Sequence, residues 1–251
     1  MWTSVIFVFG LLAGSFLNVC IYRIPRKRSI ILPASFCPHC DAPIHPLDNI
    51  PLLSYLVLGG KCRQCKGPIS LRYPLVECMT GFLFALLYLR FGASPSLLVY
   101  AVFVAALVVV TFIDLEHRII PDVISLPGIP AGFALSFLLP RVNWVSSLLG
   151  ILLGSGLLLA VALGYEWLTR KEGMGMGDVK LLGMMGGVLG WEGVLFTIFV
   201  SSVVGAVVGV VAMMAARADT KYAIPYGPFL SAGGLIYLFS GPQIIHWYLG
   251  G

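Results

Sequence analysis

Two acids sit where acids are expensive. Asp114 closes an uncharged run of 23 residues, Phe91 to Ile113, and Asp178 stands between the glycine run Gly173-Met-Gly175-Met-Gly177 and an apolar segment. Two carboxylates that share a site cannot easily both ionise, so the pair holds one proton between them. The ionised member can take a proton from water as it attacks a peptide carbonyl, while the protonated member donates to the carbonyl oxygen, as in aspartic proteases. Such a pair titrates as a unit, so neither residue is assigned as the acid or the base. Taken singly, Asp178 also suits an N-cap and Asp114 an interfacial charge, whereas Asp122, between Pro121 and an apolar run, suits the N-cap role best. The glycines before Asp178 lack Cβ atoms and let a substrate backbone approach. As a dinucleotide loop they are weak evidence, because no predicted strand precedes them.

A second constellation is sulfur. Cys37-Pro-His-Cys40 and Cys62-Arg-Gln-Cys65 form two Cys-x-x-Cys knuckles separated by 21 residues, near the spacing of paired zinc knuckles. Four thiolates complete a tetrahedral site with no open position, so the expected role of Cys37, Cys40, Cys62 and Cys65 is structural zinc, with iron or two disulfides as alternatives. His39 and His45 are spare ligands that the site does not need. Cys20 and Cys78 fall in apolar segments and read as small hydrophobes.

The elements that carry these groups belong to a membrane. Hydrophobic residues make up 59% of the chain and charged residues 11%, with a mean hydropathy of +0.95, against roughly 25% charged residues in soluble domains. Segments with the length of spans are Trp2–Tyr22, Leu75–Leu89, Phe91–Ile113, Val123–Pro140, Val142–Tyr165, Gly193–Ala216 and Tyr222–Leu249, with the shorter Asp178–Trp191 before the last two. If all eight cross, Lys and Arg divide 14 to 2 between the faces, and the richer face is cytoplasmic. The expected fold is therefore an all-α polytopic membrane protein, a bundle of about eight helices with a small cytoplasmic zinc-binding loop domain. Residues 1–22 form the first helix, 23–72 the proline-rich tetracysteine domain and 73–251 the membrane bundle carrying both acids.

In this topology Asp114 and Asp178 lie at one depth on the cytoplasmic side. A helix over Asp178–Trp191 is about 21 Å long, short of a hydrocarbon core near 30 Å, and leaves a hollow that water can enter. Glu77 and Glu166 are candidates to pair with Arg72 or to line that hollow, and Glu116, His117 and Arg118 read as a solvated turn. Gly183, Gly186, Gly187 and Gly190 have the spacing of helix packing. The net charge of +5 reflects orientation and contact with anionic lipid rather than nucleic acid, since no basic run is interleaved with aromatics. No internal repeat is evident.

The motifs GSFLNVCIYRIP (14–25), ISLRYPLVE (69–77), DLEHRIIPD (114–122), GMGDVKL (175–181) and PYGPFLSAG (225–233), with the two cysteine pairs, resemble the type IV prepilin peptidases nearly end to end. These are bifunctional leader peptidases and N-methyltransferases of pilus and type II secretion systems. The resemblance implies Asp114 and Asp178 as the catalytic pair. It also implies prepilin and pseudopilin substrates with basic leaders, cut on the cytoplasmic side of the inner membrane after a glycine. The exposed amine, often of phenylalanine, is then methylated from S-adenosylmethionine. The methyl-donor site cannot be read from these residues, and no soluble βαβ unit for the donor is visible. A transporter that relays protons or ions through Asp114 and Asp178 is the competing class, but it calls for acids near the midplane and paired repeats.

Overall fold

A computed structural model describes residues 1–170, 175–216 and 225–249. Lys171, Gly173, Arg217 and Lys221 lie outside the described residues, as does the beginning of the last expected span, Tyr222 to Ile224. Among the described residues eight α-helices make up the frame: α1 Trp2–Arg23, α2 Leu53–Val57, α3 Arg72–Phe91, α4 Pro95–His117, α5 Asp122–Leu135, α6 Trp144–Thr169, α7 Met176–Ala216 and α8 Gly227–Leu249. There is no strand among the described residues, as expected where lipid obliges each segment to satisfy its own backbone. Among the described residues five helices, α1, α3, α4, α6 and α7, are long and apolar enough to cross a membrane. Only 17% of the most apolar stretch of α7 is buried within the protein, so most of that surface is suited to lipid. The chain forms two compact units, Met1–Val109 and Val110–Gly251, with the boundary inside α4.

In the first unit α1 packs on α3 through small residues. A Cβ added at Gly10 would lie 2.8 Å from the Cα of Gly81, and one at Gly14 would lie 2.7 Å from the Cα of Glu77. The two backbones therefore meet closely along a small-xxx-small stripe. One turn further, the Asn18 Nδ2 donates to the Tyr73 carbonyl at 3.1 Å. The buried Arg23 guanidinium then ties the loop to the end of α1, donating to the carbonyls of Ser29 (2.9 Å), Pro33 (2.7 Å) and Ala34 (3.3 Å).

The loop contains a repeat that is not evident from the residues alone. Cys37–Ile44 and Cys62–Ile69 share the pattern C-x-x-C-x-[AG]-P-I. The Cys37 N–H donates to Ala42 O at 2.9 Å and the Cys62 N–H to Gly67 O at 2.8 Å. Asp41 and Lys66 turn the chain at φ 54 and 59, and antiparallel bridges Phe36–Pro43 and Lys61–Pro68 close each knuckle. Eight residues are too few for the pattern to stand out without the shared hydrogen bonds.

In the second unit α7 packs on α5, α6 and α8. A Cβ at Gly186 would collide with the backbone of Gly150, and one at Gly187 would lie 3.2 Å from the carbonyl carbon of Gly132. The Ser147 hydroxyl adds an interhelical bond to Gly187 O at 2.8 Å, in a class worth about 0.6 kcal/mol. Gly183 and Gly190 also pack against α6, as expected, and Gly190 has a second role as well. Its φ of 74° and ψ of 179° break α7, a conformation open to glycine alone, and set off a first leg from Met176 to Leu189. The short sixth segment thus exists, shifted two residues toward the amino terminus.

Candidate active site

Asp114 lies on the last turn of α4, where the Arg118 N–H donates to its carbonyl at 2.8 Å and Arg118, at φ 55°, ends the helix. Glu116 and Arg118 are exposed beyond it, as expected, whereas His117 is half-buried with its Nε2 withdrawn from solvent, and Glu116 and His117 still belong to α4. Asp178 is the third residue of α7, inside the helix rather than at its cap. Both residues are buried, at 5% and 9% exposed. Both acids belong to the second unit, at the end of α4 and the start of α7.

Three further features complete the site. The Gly227 N–H, at the start of α8, donates to Asp114 Oδ2 at 3.0 Å. A Cβ at Gly227 would lie 2.7 Å from that oxygen and 3.4 Å from Ile120 Cδ1, and a Cβ at Gly177 would lie 2.8 Å from Ile120 Cβ. Ile120, in the turn after Asp114, therefore sits against the first residues of both α7 and α8; at Gly177 a side chain would press on Ile120 itself, whereas at Gly227 it would press on Asp114. The Tyr226 hydroxyl shares a hydrogen bond with Ser201 Oγ at 2.8 Å, which fixes the entry to α8. The role of Gly227 was not read from the sequence because the group involved is a backbone N–H; the hint was glycine directly before the Pro228 that opens a helix.

Asp122 departs from its expected role. Pro121 occupies the cap position of α5, and the Asp122 carboxylate instead accepts from Lys180 Nζ at 2.8 and 2.9 Å. The pair is partly exposed and worth about 1 kcal/mol or less. Its effect is on register, because it joins the end of the DLEHRIIPD segment to the α7 turn that carries Asp178. Glu166 lies exposed on α6, and Glu77, in the first unit, is buried and accepts from the Leu52 N–H at 2.9 Å.

The four loop sulfurs of Cys37, Cys40, Cys62 and Cys65 lie within 4.8 Å of one another, with Cys37 Sγ and Cys65 Sγ 3.9 Å apart. Zn–S bonds of about 2.3 Å in a tetrahedron require sulfurs about 3.8 Å apart, whereas a disulfide requires about 2.05 Å. All four are free thiols and no histidine joins the cluster, so the geometry fits a tetrathiolate metal site. The electrostatics fit too. Backbone N–H groups of Cys65 and Gln64 pull Cys62 down to about 6. At Cys40 the Ala42 N–H acts in the same sense, but desolvation and the sulfurs of Cys65 and Cys37 together hold it up at about 11. A bound dication removes that conflict by letting all four deprotonate.

Fold and site together define a multi-pass helical membrane protein with a buried acid pair at its helix ends and a tetrathiolate loop. Residues 8–91 match the model of the bacterial peptidase A24 N-terminal domain, and residues 101–210 match that of the type IV leader peptidase family. The prepilin leader peptidase/N-methyltransferase of Aeromonas hydrophila is 37% identical over 99% of this chain and 94% of its own length. Those of Pseudomonas aeruginosa (37%, over 96% and 91%) and Legionella pneumophila (37%, over 98% and 94%) are similar to the same degree. No solved structure matches the chain. The chain belongs to the type IV leader peptidase family.

Proposed function

We propose that the protein removes the basic leader from type IV prepilins and related pseudopilins at the cytoplasmic face of the inner membrane, and then N-methylates the new terminal residue. The observation that carries the peptidase reading is the pair of buried acids, Asp114 and Asp178, on separate helices whose neighbouring glycines, Gly227 and Gly177, both pack on Ile120. One carboxylate takes a proton from water as the water oxygen bonds to the scissile carbonyl carbon, and the protonated partner donates to the carbonyl oxygen. Collapse of the tetrahedral intermediate returns that proton, breaks the C–N bond and sends the first proton to the departing amine. The Gly227 N–H orients Asp114 throughout. The 23–72 loop, folded around zinc on its four cysteines, has a structural part. S-adenosylmethionine is the methyl donor of the second reaction, whose acceptor is the amine that the first reaction uncovers.

Mass spectrometry of a prepilin incubated with the purified protein tests both activities. The expected product is a chain shortened at one bond, heavier by one methyl only when S-adenosylmethionine is present; an intact prepilin overturns the reading. Gly227→Ala tests the geometry, since its Cβ would lie 2.7 Å from Asp114 Oδ2 and force that carboxyl aside. Leader cleavage is expected to fall by about 100-fold, the usual consequence of an ångström-scale misplacement. Cleavage within a few-fold of the parent protein would show that the Asp114 position tolerates the shift.

A further inference from the structure

The first unit contains a cavity of about 420 Å³ between the tetracysteine loop and the facing ends of α1 and α3, with every lining residue between Ser15 and Glu77. That volume falls within the range of about 300–1,000 Å³ typical of small-molecule sites. Packing of Gly14 against Glu77 brings Asn18 and Glu77 to this cavity from two helices. Asn18 is 2% exposed; its Nδ2 donates to Gly14 O and Tyr73 O, while its Oδ1 has no hydrogen-bond partner among the described residues. A buried acceptor left open is rare and points to a donor that the protein itself does not supply. Glu77 is 7% exposed on a membrane helix, where an acid has a functional role by default. Tyr22, Phe36, Tyr55 and Tyr73 bring aromatic rings to the same space.

We propose that this cavity, lined by Asn18, Glu77 and the aromatic side chains, is the S-adenosylmethionine-binding site. The donor is a zwitterion with one extra positive centre, a purine and a diol. Aromatic rings suit the purine and the sulfonium, Glu77 suits the ammonium or the diol, and Asn18 Oδ1 accepts from an N–H or O–H. A basic leader peptide fits less well. Only two acids line the cavity, and Asp48 already holds Arg63 at 2.6 Å, which leaves Glu77 to meet one cation rather than several. Arg26, also lining the cavity, is placed for a carboxylate. With no strand among the described residues, a helix-and-loop site is what this chain offers a methyl donor.

The assignment rests on the N-methylation reading, and the test separates the two. Ultraviolet cross-linking of methyl-labelled S-adenosylmethionine to the full-length detergent-solubilised protein, with peptide mapping, is expected to place label between residues 15 and 77. Glu77→Gln is expected to lower S-adenosylmethionine affinity about tenfold or more, the loss typical of a bond to a charged group. Cleaved but unmethylated product should then accumulate. Label confined to residues 110–251, with methylation intact, overturns the site and leaves the methylation reading standing. Neither labelling nor methylation in the parent protein overturns both. If Glu77→Gln fails to fold, the label map on the parent chain decides alone, and a basic leader peptide that cross-links within 15–77 in place of the nucleoside overturns the assignment.

Discussion

Asp114→Asn and Asp178→Asn are each expected to lower leader cleavage by about 1,000-fold or more, within the range for loss of an acid–base group compounded by loss of a shared proton. Asparagine keeps the shape of the side chain, and at position 114 its carbonyl oxygen can still accept from the Gly227 N–H. It cannot exchange a proton with water. The variants should therefore insert and fold as the parent does, and the double variant should be little worse than either single one, because the two acids act as a unit. Initial rates on a prepilin substrate, with circular dichroism to check helicity, measure this. Cleavage within tenfold of the parent by either variant refutes the pairing.

The second large effect concerns metal. The purified protein is expected to contain about one zinc per chain, and Cys37→Ser or Cys62→Ser to reduce that to near zero, because three thiolates leave the tetrahedron incomplete. The loop carries Pro25, Pro33, Pro38, Pro43, Pro46, Pro51 and Pro68 and only short helical turns between α1 and α3, so apart from the hydrogen bonds of Arg23 and Glu77 little besides the metal holds it in place. Folded yield should fall with the metal, since binding free energy in such sites is folding free energy. Cys20→Ser and Cys78→Ser, which alter cysteines outside the cluster, should leave zinc content unchanged. Elemental analysis of the purified variants reads both outcomes, and parental stoichiometry in Cys37→Ser overturns the tetrathiolate site.

Several features were legible because they follow from local chemistry. Long uncharged runs imply helices, and α1, α4 and α6 follow within a few residues of their expected bounds. Two Cys-x-x-Cys pairs imply a tetrathiolate, and all four sulfurs converge as that motif requires. Asp122 misled because a proline–acid pair before an apolar run is a standard cap signal, yet Lys180, 58 residues away, holds its carboxylate. Gly190 carries a second role that its spacing does not announce. It packs against α6 as that spacing implies, and its positive φ also breaks the helix.

Composition and residue order alone determined the helical membrane class, the two cysteine pairs whose sulfurs cluster, and two acids placed where charge is costly. They carry no through-space distance between residues 114, 178 and 227. That was decided by tertiary packing: glycine contacts let α5, α6 and α8 close on α7, the turn at Ile120 seats against Gly177 and Gly227, and a backbone N–H reaches Asp114. Side-chain chemistry is written in the one-dimensional chain, whereas the meeting of groups from distant helices depends on which surfaces fit together.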